Sequence, residues 1–208
     1  MDILTKILGA SVELFGQYGF KTITMDDIAR RAGISKKTLY QHFANKDEIV
    51  KESVLWHKNH MFGQCQQQMD DAENAVDAMV KIMNIIDHSL TRINPIALFE
   101  LQRYYPDGYA TFREGLLKQD AEAVKENLLR GIAEGYYRED MNVDIIAKFH
   151  IEKSLLLLQP NMMVADRGNI REVNQEIMEL FLFGIMTPKG EKLYRKYKEK
   201  YIKQVSKI

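Results

Sequence analysis

Eight consecutive residues, Lys36-Lys37-Thr38-Leu39-Tyr40-Gln41-His42-Phe43, carry most of this chain's recognition chemistry. At helical spacing Leu39 and Phe43 lie four apart and share one face, which leaves ammonium, hydroxyl, amide and imidazole groups on the others. Ammonium and hydroxyl groups donate to phosphate oxygens, whereas Lys37, Gln41 and His42 match the donors and acceptors of base edges. Plain solvation accounts for many polar helix faces. A helix this short is unstable alone, however, so its fixed geometry needs another reason.

The elements that must hold the octet are legible around it. Apolar residues at Ile3, Ile7, Ala10, Leu14 and Tyr18 form a stripe that predicts a first helix over 3–18, closed by Gly19. Thr24 with Asp27 three residues on forms a capping-box pair for a short helix over 25–32. Gly33 permits a tight turn, Ile34 points inward, and Ser35 caps the helix of the octet. Two short helices separated by a glycine turn, with small Ala29 at their crossing, follow the helix-turn-helix plan, whose second helix enters the major groove of DNA. Asn45 and Glu48 open a fourth helix reaching about residue 68.

The rest of the chain also has helical periodicity, over about 74–91, 95–104, 107–134, 143–159 and 170–186. Its four prolines, Pro95, Pro106, Pro160 and Pro188, stand at expected helix boundaries. After Pro188, Tyr194, Tyr197, Tyr201, Val205 and Ile208 line one side of a lysine-rich helix, which predicts a tail docked on the protein.

The net charge of zero conceals an uneven layout: +1 over residues 1–52, −7 over 53–188 and +6 over 189–208. Affinity for a polyanion depends on the face that meets it, so an acidic body with basic ends is compatible with DNA binding. The longest charge-free run, 154–165, is too short for a membrane span. Met1-Asp2 opens on an acid, so no secretory signal is expected. One cysteine, Cys65, forms no internal disulfide, and a cytoplasmic setting is expected.

Residues 8–52 resemble the DNA-binding domain of the TetR family of bacterial transcriptional regulators. The resemblance is carried by Ala10, Leu14, Phe15, Gly19, Thr24, Ile28-Ala29, Ala32-Gly33-Ile34-Ser35, Thr38-Leu39-Tyr40, His42-Phe43, Lys46 and Ile49. Ile34 stands where valine is frequent, Lys37 where a small residue often sits, and Ile49 where leucine is usual. The fold expected is all-α: an N-terminal three-helix DNA-binding domain over 1–46, a helical effector-binding and dimerisation domain over 47–188, and a basic tail over 189–208. Lys21, Thr24, Ser35, Lys36, Thr38, Tyr40 and Lys46 are expected on phosphates, and Lys37, Gln41 and His42 on bases.

The resemblance further implies a homodimer on a palindromic operator, released by a small-molecule effector whose binding shifts the fourth helix. Dimer contacts are expected from Ile145, Phe149, Glu152 and Leu156 on one helix and Val173, Ile177, Leu180, Phe181 and Gly184 on another. Effector contacts are expected among Met79, Met83, Ile86, Phe99, Arg103, Tyr104, Phe112, Leu116 and His150. Each of these also reads as ordinary core.

His57 and His60, three apart, have a spacing open to metal, but polar surface histidines explain them better, and neither metal nor cofactor is expected. No Gly-rich phosphate loop, Gly-x-Ser-x-Gly elbow or His-Glu-x-x-His pair appears, so an enzyme is not expected. The alternative from another class is a helical protein-interaction adaptor that has kept the fold without sequence-specific DNA binding.

Overall fold

The computed structural model describes residues 2–156 and 170–205, and all its regular elements there are helical. They are α1 (Ile3–Tyr18), α2 (Met25–Ala32), α3 (Lys36–His42), α4 (Lys46–Asp70), α5 (Ala75–Leu90), α6 (Pro95–Tyr104), α7 (Pro106–Gly115), α8 (Ala121–Ala133), α9 (Val143–Leu156), α10 (Ile170–Ile185) and α11 (Pro188–Val205). Pro160 and Ile208 lie outside the described residues. The described residues form two compact units, one of residues 2–62 and 92–116, the other of residues 63–91, 117–156 and 170–205.

In the first unit, Ile7, Phe15, Ile28, Leu39, Ile49, Val50, Ala97 and Leu101 are buried in one core. The face α1 buries is turned from the expected stripe. Ile7, Leu8, Ala10, Ser11 and Phe15 go inward, while Ile3 and Tyr18 are exposed. Both α2 and α6 claim this side of α1, and Leu8 and Phe15 fill the resulting wedge.

The single helix expected over 107–134 is interrupted. Residues Leu116–Asp120 form one wide π turn between α7 and α8. Just before it, the aliphatic stem of Lys58 lies 3.0 Å from where a Cβ at Gly115 would stand. Such turns add a residue to the helical ladder.

The second unit is built on buried Val76, Met79, Leu128, Tyr137, Leu182, Ile185 and Tyr194. At its centre the Ala75 carbonyl accepts from Asn127 Nδ2 at 3.0 Å and from the Tyr137 hydroxyl at 3.1 Å. Each of these buried polar groups is thereby matched. The tail helix docks as its tyrosine stripe implies. Tyr194 donates to Glu179 at 2.8 Å, and Tyr197 donates to Glu73 at 2.9 Å while accepting from Asn74 at 2.8 Å.

Candidate nucleic-acid interface

Local sequence sets the angle at which α3 is presented. Thr24 and Asp27 close a full capping box at the start of α2: the Asp27 amide donates to Thr24 Oγ1 at 3.2 Å, and the Thr24 amide donates to Asp27 Oδ2 at 3.0 Å. Gly33 ends α2 with φ 69° and ψ 33°, a left-handed geometry that costs glycine nothing. The Ile34 amide then returns to the Ala29 carbonyl at 3.0 Å. Two residues after Gly33, Ser35 Oγ accepts from the Thr38 amide at 3.0 Å and starts α3.

Packing fixes the roll of α3 about its axis. Leu39 is fully buried and Phe43, its C-cap, is 3% exposed, both against Ile28 and Ala29 of the first-unit core. Lys36, Lys37, Tyr40, Gln41 and His42 are consequently exposed, with Thr38 half-buried. No residue of α3 is acidic. The Asp26 carboxylate pairs with Lys36 at 2.8 Å and raises its ammonium pKa, chiefly through that hydrogen bond. Arg30 pairs with Asp27, and Arg31 with Glu13.

The expected phosphate contacts divide into two groups. Lys36, Lys37 and Tyr40 are exposed beside Gln41 and His42, with the Lys36 ammonium paired to Asp26. The Thr24 hydroxyl is committed to Asp27, and Ser35 Oγ to Thr38. The Lys21 ammonium lies 5.3 Å above the Tyr104 ring. Lys46 turns inward, donating to the Phe20 carbonyl and, at 3.5 Å, to the Lys21 carbonyl. Burial lowers its pKa, against the opposing pull of Glu100 and Asp47. The capping box at Asn45 is also modified: Asn45 accepts from the Glu48 amide at 2.9 Å, but Glu48 reaches the Ala44 amide at 2.7 Å.

Two residues that sequence reading did not single out belong to this region. Glu100 accepts from the Lys21 amide at 2.9 Å, and the Asn94 amide donates to Gly16 at 2.7 Å. Both partners lie more than 70 residues away in sequence; the local pattern marks Asn94 only as the N-cap of α6 before Pro95, and Glu100 not at all.

The other expected residues are distributed between the units. Phe99, Arg103 and Tyr104 are exposed and Phe112 and Leu116 half-buried in the first; Met79 and Met83 are core, and Ile86 and His150 half-buried, in the second. In the second unit α9 and α10 leave an apolar groove lined by Ile146, Phe149, Lys153, Ile177, Leu180 and Gly184. Ile145, Phe149, Leu156 and Leu180 are exposed there, whereas Glu152, Val173 and Ile177 are half-buried and Phe181 is packed against His150. His60 stacks on Trp56 at 5.6 Å, and the described residues contain no group of three potential metal ligands. No described helix is long and apolar enough to cross a membrane.

Residues 7–53, which include α2, α3 and all but the first turn of α1, match the family model described as "Bacterial regulatory proteins, tetR family". The chain is 26% identical over 194 residues to the HTH-type transcriptional repressor KstR2 of Mycolicibacterium smegmatis, covering 90% of this chain and 92% of that protein. A transcriptional regulator from Cytophaga hutchinsonii shares the fold with a TM-score of 0.70, 18% identity and coverage of 88% of this chain and 98% of the other. The regulator FadR from Bacillus subtilis, solved in complex with stearoyl-CoA, gives 0.66 at 18% identity, over 88% of this chain and 99% of the other. A capped, glycine-turned helix pair offering a basic polar face, matched over residues 7–53 by the family model and along most of the chain by regulators of this kind, is the DNA-binding domain of the TetR family of bacterial transcriptional regulators.

Proposed function

We propose that this protein is a homodimeric transcriptional repressor that binds a palindromic operator in the cytoplasm and is released from it by a small molecule. The observation that carries the reading is the exposed face of α3, which has no carboxylate and is held outward by Leu39 and Phe43. Lys37, Gln41 and His42 read bases from this face, while Lys36 and Tyr40 position it on phosphates. Thr24, Ser35, Lys21 and Lys46 act one step behind, since their side chains already serve the turns that aim α3 or rest on a ring.

The groove between α9 and α10 supports the dimer. Leu180 and Phe149 line this groove and are 77% and 55% exposed, large apolar side chains left open on one face. A second copy of the same face covers it in a two-fold assembly. Two copies of α3 then occupy successive major grooves, about 34–36 Å apart or a multiple of that. Residues 1–46 act as the reading head, 47–188 as the effector and dimer domain, and 189–208 as a tail docked on the latter.

A relative supports the regulated half of the reading, since FadR from Bacillus subtilis holds stearoyl-CoA on the same fold. Met79 and Met83 supply an adaptable apolar wall for a small-molecule effector, with displacement of α4 as the output. The test is selection of bound fragments from random DNA with purified protein, repeated with cell extract as a source of effector. Recovery of one inverted repeat, lost on adding extract, is the expected result. Recovery of unrelated fragments overturns the operator, and binding unchanged by extract overturns the release.

A further inference from the structure

We infer that Glu100 is a positioning residue for DNA binding: its carboxylate, carried by α6, fixes the Gly19–Lys21 turn that leads into α2, so that α6 and the reading helices form one mechanical body. The inference rests on the DNA-binding reading above and adds a route into the reading head besides α4.

Four sets of contacts converge on this turn. Glu100 is 7% exposed, and its Oε2 accepts from the Lys21 amide at 2.9 Å. The same oxygen lies 2.6 Å from where a Cβ at residue 19 would stand, and Gly19 has φ +82°. Glycine suits this position by its backbone angle and leaves room for the carboxylate. On one side the Asn94 amide donates to the Gly16 carbonyl at 2.7 Å, and Asn94 Nδ2 donates to Gln17 at 3.3 Å. On the other, Lys46 holds the Phe20 carbonyl and lies within reach of that of Lys21. Beneath the turn, Ala97 and Leu101 of α6 share the core with Phe15 and Phe20, and Tyr105 lies 5.8 Å from the Phe20 ring.

Burying a carboxylate on one amide, even with the Lys46 ammonium as a nearby counter-charge, gains little stability by itself. What it supplies is geometry. The turn can pivot about Gly19, and Thr24, the N-cap of α2, comes only three residues after Lys21. A turn clamped to α6 gives α2 and α3 one orientation. A free turn leaves several, and each binding event must then select among them.

The test compares Glu100→Ala, Glu100→Gln and Gly19→Ala with the wild type in two readouts. The first is hydrogen exchange of the Lys21 amide in DNA-free protein. The second is affinity for a wild-type-selected fragment across a salt series. Glu100→Ala is expected to speed Lys21 exchange at least about tenfold and weaken DNA binding about tenfold, with an unchanged salt slope, because Glu100 meets no phosphate. Glu100→Gln keeps a carbonyl acceptor and is expected to restore both. Gly19→Ala reproduces the loss, and combined with Glu100→Ala it is expected to cost less than the sum of the two, because the clash with the carboxylate is gone and only the backbone strain at φ +82° remains. If Glu100→Ala does not fold, Glu100→Asp, which withdraws the carboxylate by one methylene, takes its place with the same expected loss. Wild-type affinity with a protected Lys21 amide overturns the inference, as does a salt slope changed by about one. If the wild type itself selects no DNA, the functional reading fails, while exchange at Lys21 still decides whether the clamp exists.

Discussion

Tyr137 covers Gly131 so closely that a Cβ at 131 would stand 2.0 Å from its Cδ2 atom. The ring is held there by its hydroxyl, which donates to Ala75 at 3.1 Å and lies 3.2 Å from Asn127 Oδ1. Burial raises the phenol's pKa above its ordinary value, so it stays protonated and remains a donor.

Gly131→Ala is therefore expected to destabilise the second unit by about 3 kcal/mol, the upper range for an overpacked core. Urea unfolding followed by circular dichroism measures this. A loss below about 0.5 kcal/mol would show that the ring can withdraw. DNA affinity per folded molecule is expected to be unchanged, since Gly131 lies outside the residues matched to the family's DNA-binding domain.

At the reading face, Asp26 pairs with the exposed Lys36 at 2.8 Å. Asp26→Asn is expected to strengthen binding to all sequences and steepen the salt slope by up to about one, because a lysine is released to the phosphates. Lys36→Ala is expected to do the reverse, and Gln41→Ala to relax preference at one base pair. Titrations of specific and random duplexes over a salt series separate these outcomes. Equal losses on both duplexes for Gln41→Ala would remove it from base readout.

Leu180 is the most exposed large apolar side chain of the α9–α10 face. Leu180→Asp is expected to leave helix content unchanged, since the side chain contributes little within one subunit. Sedimentation velocity is expected to show a monomer, with affinity for an inverted repeat falling at least about tenfold. A variant that sediments as the wild type does would place the subunit contact elsewhere.

His150 gives a pH dependence. Burial, with a smaller contribution from Lys153, pushes its imidazole down from 6.5 to about 3, and Nδ1 has no partner among the described residues. Between those values the unfolded chain binds a proton that the folded state refuses, so stability is retained above pH 6.5 and lost as pH falls through this window. The wild type is expected to lose about 1–2 kcal/mol more than His150→Phe between about pH 7 and pH 5, measured by urea unfolding. Equal losses in the two proteins would assign the acid sensitivity to other groups.

Much of this molecule is written locally. The capping box at Thr24, the left-handed turn at Gly33 and the Ser35 cap depend on residues within a few positions of each other, and each appears in the structure as the sequence implies. Leu39 and Phe43 settle which side of α3 faces out, because two large apolar groups four apart leave one stable roll. The tyrosine stripe of the tail likewise announces its docking at Tyr194 and Tyr197.

The partners of many polar groups, by contrast, were fixed by packing in three dimensions. Charge alone reads Lys46 and Lys21 as phosphate contacts; what it does not contain is that Lys46 also donates to the Phe20 carbonyl and that the Lys21 ammonium, still exposed, lies over Tyr104. The face of α1 shifted because α2 and α6 both pack against it. Periodicity also missed the wide turn at Leu116–Asp120, whose ladder accommodates an extra residue without changing the residue types. Glu100 and Asn94 act on residues some 80 positions earlier. A sequence pattern encodes which side of a helix is apolar, but the partner of a buried polar group is set by the path of the chain through space.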